Sequence, residues 1–177
     1  MNEIVTTATP TALTSSATDL LLDGNRQAAA AFTAGHLAAP PVRNLAIVTC
    51  MDARIEPLRQ LGLGLGDTHL MRNAGGRVTD DVLRSLMVST AALGVREVAV
   101  MQHLSCGMGK LSDAQLREKV LETTGFDPGA LEFLSFTDIE ASVRADVERV
   151  RNHPGVAAER VIGLVYDVAT GLIHEVN

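Results

Sequence analysis

Two short strand-like runs each stop at a residue able to bind a metal. Leu45-Ala46-Ile47-Val48-Thr49 leads to Cys50, and Glu97-Val98-Ala99-Val100-Met101-Gln102 leads to His103. Runs this short, nearly continuous in apolar character and rich in β-branched residues read as strands buried on both faces, the pattern of a parallel sheet. Parallel strands bring their C-terminal ends to one edge, where neighbours lie about 5 Å apart. Cys50 and His103 are too distant in the chain for a local zinc knuckle, yet that edge brings them within reach of one ion. If the connections leave the two strands in opposite directions, the pair flanks the switch-point crevice in which α/β proteins bind ligands.

The remaining segments agree with such a sheet. Residues 79–93 carry Val82, Leu83, Leu86, Met87 and Leu93 at helical spacing. Thr79 suits the N-cap, Asp80 and Asp81 the first turn, and Gly94 the stop. Residues 112–123 and 138–152 read as further helices, 56–61 as a short one that tolerates Pro57 in its first turn, and 68–71 as a strand. Near the C-terminus, 161–166 and 172–176 read as strands around the hairpin-like Asp167-Val168-Ala169-Thr170-Gly171. Strand–helix alternation implies right-handed crossovers. The expected fold class is α/β: a mostly parallel β-sheet with flanking helices and an antiparallel C-terminal edge strand. Residues 18–34 read as an apolar, alanine-rich helix, halted by Ala39-Pro40-Pro41. Residues 1–17 are expected to be a mobile N-terminal tail and residues 18–177 a single domain.

Composition removes several function classes. Aromatic residues are 3% of the chain and the formal charge is −6, so neither base stacking nor a polyanion partner is favoured, and no nucleic acid is expected. No apolar run approaches the roughly 20 residues of a membrane span, and no basic, apolar leader opens the chain. A cytoplasmic protein is expected. Thiols stay reduced there, so two cysteines suggest metal or redox chemistry before a structural bridge. The glycine run Gly62-Leu63-Gly64-Leu65-Gly66-Asp67 precedes a strand instead of linking a strand to a helix, which argues against a nucleotide loop.

The chain has only two cysteines, and both belong to one constellation: Cys50-Met51-Asp52-Ala53-Arg54 and His103-Leu104-Ser105-Cys106-Gly107. Cys50, His103 and Cys106 give three ligands for a Zn²⁺, the number a catalytic site uses while its fourth position stays open. Cys106 follows His103 by one turn of chain and can swing back to the same ion; a Cys50–Cys106 disulfide is the rival geometry. Asp52 and Arg54 share a face of an extended segment, where the arginine fork can hold the carboxylate in a bidentate pair. Asp52 could then accept a hydrogen bond from a zinc-bound water, or itself take the fourth position in a closed state. His36, His69, His153 and His174 lack ligand-spaced partners and read as surface or structural residues.

These residues resemble the β-class carbonic anhydrases, whose signature Cys-x-Asp-x-Arg and His-x-x-Cys-Gly is matched by Cys50, Asp52, Arg54, His103, Cys106 and Gly107. The similarity extends to Gly66-Asp67, to Arg72-Asn73-Ala74-Gly75-Gly76, to the stretch from Val78 to Leu86, and to the segment from Tyr166 to Gly171. Cys106-Gly107-Met108 is similar to the short bacterial branch, whereas Gln102 and Met108 stand where the plant-type branch has glycine. The resemblance implies a homodimer or a dimer of dimers with N-terminal helices embracing the partner subunit. It implies reversible hydration of carbon dioxide to bicarbonate by zinc-bound hydroxide, with Asp52 orienting the hydroxide and Arg54 keeping Asp52 off the metal. Backbone groups of Ala74, Gly75 and Gly76 are expected to line the substrate pocket. The short branch also includes carbonyl sulfide and carbon disulfide hydrolases with the same ligands, which makes such a hydrolase the alternative. A non-catalytic zinc or redox module is a third reading.

Overall fold

A computed structural model describes residues 16–177; residues 1–15, most of the expected tail, lie outside the described part. The chain divides into two compact units, one ending at Leu37 and the other running from Ala38 to Asn177. The first contains α1 (Ala17–Ala30), entered one residue before the predicted start because Ser16 caps it. Ser16 Oγ accepts from Asp19 N at 3.1 Å while Asp19 Oδ2 accepts from Ser16 N, a reciprocal capping box. The helix ends short of residue 34, where Ala31 N and Phe32 N turn to the tighter acceptors Ala28 O and Ala29 O. No residue of α1 is buried.

The second unit is built on five strands: β1 (Leu45–Cys50), β2 (Thr68–Asn73), β3 (Glu97–His103), β4 (Arg160–Tyr166) and β5 (Ile173–Val176). Their order is β2-β1-β3-β4-β5, with the first three pairings parallel and β4–β5 antiparallel. The expected α/β architecture, including its antiparallel last strand, is therefore what the chain adopts. The central strands β1 and β3 are buried almost throughout, as their unbroken runs require.

Four helices connect these strands: α2 (Pro57–Gln60), α3 (Asp80–Ala92), α4 (Asp113–Thr124) and α5 (Ile139–Arg151). Each long one starts on a side-chain cap, Thr79 for α3, Ser112 for α4 and Asp138 for α5. Val82, Leu83 and Leu86 of α3 and Val143, Val147 and Val150 of α5 join Val48, Val98, Val100 and Val165 of the sheet in the main core. A second cluster at the C-terminal edge holds Cys50, Ile55, Met101, Cys106 and Tyr166. The connection after β1 leads to β2 on one side and that after β3 to β4 on the other, so a switch point falls between Cys50 and His103.

Candidate metal centre

Pairing of β1 with β3 brings their last residues, Cys50 and His103, to the same C-terminal edge of the sheet. Leu104 N then donates to Tyr166 O at 2.9 Å, and Ser105 takes a left-handed conformation (φ 58°) that returns Cys106 to the same edge. The ligand atoms of Cys50, His103 and Cys106 all lie within 4.8 Å of one another, and all three residues are buried. Cys50 Sγ and Cys106 Sγ stand 3.9 Å apart as free thiols. Two sulfurs on a tetrahedral zinc, at bonds of about 2.3 Å, stand about 3.8 Å apart, whereas a disulfide needs about 2.05 Å. The disulfide is not formed in this structure.

His103 Nδ1 lies 2.9 Å from Leu104 O. A carbonyl can only accept, so Nδ1 carries the proton and Nε2 presents its lone pair. That Nε2 is fully buried and has no hydrogen-bond partner. An unpaired buried acceptor facing two sulfurs is costly by itself and fits a metal ligand. Two thiol sulfurs and an imidazole are a donor set that suits Zn²⁺. Before any metal binds, Cys106 donates its proton toward Cys50, which holds the Cys50 thiol well below its usual value. The shared proton, together with burial, pushes the Cys106 thiol upward.

Asp52 and Arg54 form the expected fork. Arg54 Nε donates to Asp52 Oδ1 at 2.9 Å and Nη2 to Oδ2 at 2.8 Å. The Arg54 backbone N–H adds a third bond to Oδ1, and Nη2 also reaches Ser105 O at 3.1 Å. The guanidinium holds the Asp52 carboxyl well below the usual carboxylate range. Asp52 Oδ2 comes within 3.7 Å of His103 Nε2, too far for a hydrogen bond. It therefore borders the cluster on the His103 side while both its oxygens stay bonded to Arg54.

In the sequence Arg72 stands only within the Arg72-Asn73-Ala74-Gly75-Gly76 stretch, with no partner assigned. Its Nε donates to Cys50 O at 3.0 Å and its Nη2 to Asp52 O at 2.8 Å, tying β2 to the segment that carries the site. The signal available in the sequence was an arginine at the end of an edge strand, which names no partner. Ala74 lines a cleft of about 450 Å³ with Met71, Arg72 and Leu134. Gly75 and Gly76 are buried instead. Gly76 (φ 67°) packs so closely that a Cβ would meet Cys50 N at 2.9 Å and Met101 O at 3.1 Å, so no other residue fits beneath the site. The other histidines keep local partners: His69 lies between Ser89 Oγ and Ala39 O, His36 against Thr33 O, His153 accepts from Gly155 N, and exposed His174 lies 3.6 Å from Glu140.

Residues 45–128 match the family model described as carbonic anhydrase. Beta-carbonic anhydrase 1 of Mycobacterium tuberculosis is 40% identical over 161 residues, covering 90% of this chain and 98% of the relative. A crystal structure of carbonic anhydrase from Streptococcus mutans superposes with a TM-score of 0.87 at 42% identity, covering 92% of this chain and 99% of that one. A carbon disulfide hydrolase of an Acidianus species is 30% identical over 163 residues, covering 78% of this chain and 79% of the relative.

Proposed function

The chain belongs to the β-class carbonic anhydrases and is a carbonate dehydratase by that membership; from this premise we propose that it hydrates carbon dioxide reversibly to bicarbonate at a Zn²⁺ held by Cys50, His103 and Cys106. The observation that carries the zinc reading is the buried, unpartnered His103 Nε2 beside two sulfurs at the spacing of a tetrahedral ion. When bound, Zn²⁺ supplies the Lewis acidity that brings the pKa of water to about 7.

The chain's own residues do the rest. Cys106 would release its proton to solvent, so that both sulfurs could hold the ion as thiolates. Leu104 O fixes the tautomer and ring angle of His103. Asp52 is the acceptor that orients the attacking O–H toward the carbon of the substrate. Arg54 and the carbonyl of Ser105 keep that carboxylate aimed and off the metal. Gly76 lets the backbone come close to Cys50.

Stopped-flow hydration of carbon dioxide by zinc-loaded protein tests the proposal. Turnover well above that of a Cys50→Ser variant is expected; equal rates would overturn it. The Acidianus relative supports one alternative, hydrolysis of carbon disulfide or carbonyl sulfide at the same site. Hydrogen sulfide release exceeding carbon dioxide turnover on the same sample would favour it. The working unit is taken as a cytoplasmic homodimer, a reading supported by the exposed Leu20, Leu21, Leu22 and Phe32 of the N-terminal unit and by the two free thiols. Among the described residues no helix is long and apolar enough to cross a membrane. Light scattering that returns a monomer mass would count against the dimer.

A further inference from the structure

Behind the metal centre lies a buried ion pair that the reaction does not touch. Asp146 of α5 is 3% exposed. Arg77 Nε donates to its Oδ2 at 2.7 Å and Nη2 to its Oδ1 at 3.3 Å. Gln102 Nε2 adds a bond to Oδ2 at 3.1 Å. Alternation along β3 sends Gln102 to the face where Val98 and Val100 pack on α5, while Met101 turns to the edge cluster that holds Cys50 and Cys106.

The partners of Asp146 are the neighbours of the ligands. Gln102 immediately precedes His103. Arg77 immediately follows the Ala74–Gly76 turn, whose Gly76 packs directly against the Cys50 backbone. Asn73 closes that turn, since its Nδ2 donates to Arg77 O at 2.7 Å and its Oδ1 accepts from Arg77 N at 2.8 Å. Arg77 also donates to Leu134 O and lies 6.0 Å above the Phe136 ring. One carboxylate therefore holds both the turn under Cys50 and the strand end that delivers His103.

Stability does not explain a charge pair in this place. Well-packed apolar residues of similar volume are often as stable or more so, because two charges no longer leave water. Directed hydrogen bonds differ from apolar packing in that they fix position. We propose that Asp146 is a positioning residue for the metal centre, acting through Arg77 on Cys50 and through Gln102 on His103. The inference rests on the zinc reading above and deepens it: the affinity for the ion is set partly from behind the sheet.

The test measures Zn²⁺ affinity by chelator competition, and the thiolate-to-metal absorption of the Co²⁺-loaded protein, in a double variant carrying Arg77→Met and Asp146→Leu. The folded double variant is expected to hold Zn²⁺ about 10- to 100-fold more weakly, the range for residues that orient ligands, with an altered Co²⁺ spectrum. Unchanged affinity and spectrum in the folded variant would overturn the proposal. Should the double variant not fold, Gln102→Met, which leaves the ion pair intact, decides by the same two readouts: weaker binding supports the assignment and wild-type behaviour overturns it. The two readings fail separately. Wild-type protein that binds zinc but hydrates no carbon dioxide sinks the functional reading alone; active wild type with unaffected variants sinks this one alone.

Discussion

The molecule contains two forked Arg–Asp pairs with nearly the same hydrogen-bond geometry and opposite surroundings. Arg54 and Asp52 have side chains 54% and 18% exposed, and they are two residues apart in the chain. Arg77 and Asp146 are 12% and 4% exposed and lie 69 residues apart. Solvent screens the first pair, which contributes roughly 0–1 kcal/mol to folding, and water can replace either partner when it opens. The second pair has no such replacement, so removing one partner strands a charge in the interior. The same chemical motif is therefore partly solvated at the candidate site and dry behind it.

Breaking the buried pair gives the largest expected effect. Asp146→Ala leaves Arg77 uncompensated and should cost about 3–5 kcal/mol, read as a lower urea midpoint. A loss below 1 kcal/mol would remove the distinction between the pairs. The exposed pair should behave in the opposite way. Asp52→Asn keeps the shape but cannot accept in the same manner, so carbon dioxide hydration should fall by about 100-fold or more in kcat while stability moves by less than about 1 kcal/mol.

A third aspartate sharpens the contrast, because neutral donors are the main source of its stabilisation. Asp113 accepts from Ser135 Oγ, Ser135 N and Phe133 N, and these bonds hold its carboxyl down to about 2. A carboxyl depressed in the folded state stabilises the protein above its unfolded value of about 4 and loses that contribution as the pH falls toward 2. Its side chain is 25% exposed, so the contribution is about 1–2 kcal/mol. Asp113→Asn should flatten the acid limb of a stability–pH curve between those values and leave stability at pH 7 lower. The smallest effect is expected at Ser105 (φ 58°). Ser105→Gly relieves a left-handed conformation but adds chain entropy, so stability should change by less than about 0.5 kcal/mol. Hydration should be unaffected, because Arg54 is held by the backbone carbonyl, which remains.

Local chemistry made much of this legible beforehand. The strands leading to Cys50 and His103 were readable because nearly unbroken apolar runs have few alternatives to a buried strand. Thr79 marked a helix start because its oxygen accepts from the N–H groups of the first turn. The Asp52–Arg54 fork followed from a two-residue spacing in extended chain. Four strands nevertheless ran longer than expected, β1, β2 and β3 at their C-terminal ends and β4 at its start. Cys50 pairs with Asn73 and His103 with Tyr166, so the ligand residues belong to the ladder and not to the loops beyond it. Arg72, Gln102 and Asp146 could not be assigned in advance. Each is an ordinary polar residue until folding supplies a partner 20, 44 or 69 positions away.

By itself the sequence determined the kind of sheet, the three residues that the structure brings together as candidate metal ligands, and the pairing of Asp52 with Arg54. Those features depend on periodicity, donor chemistry and spacings of a few residues, all of which are written along the chain. Tertiary structure alone decided which nitrogen of His103 is free, how close the two sulfurs stand, and that Asp146 reaches the back of both ligand-bearing segments. Such facts depend on distances between segments remote in sequence, which are set only when the strands take their order and α5 packs across them.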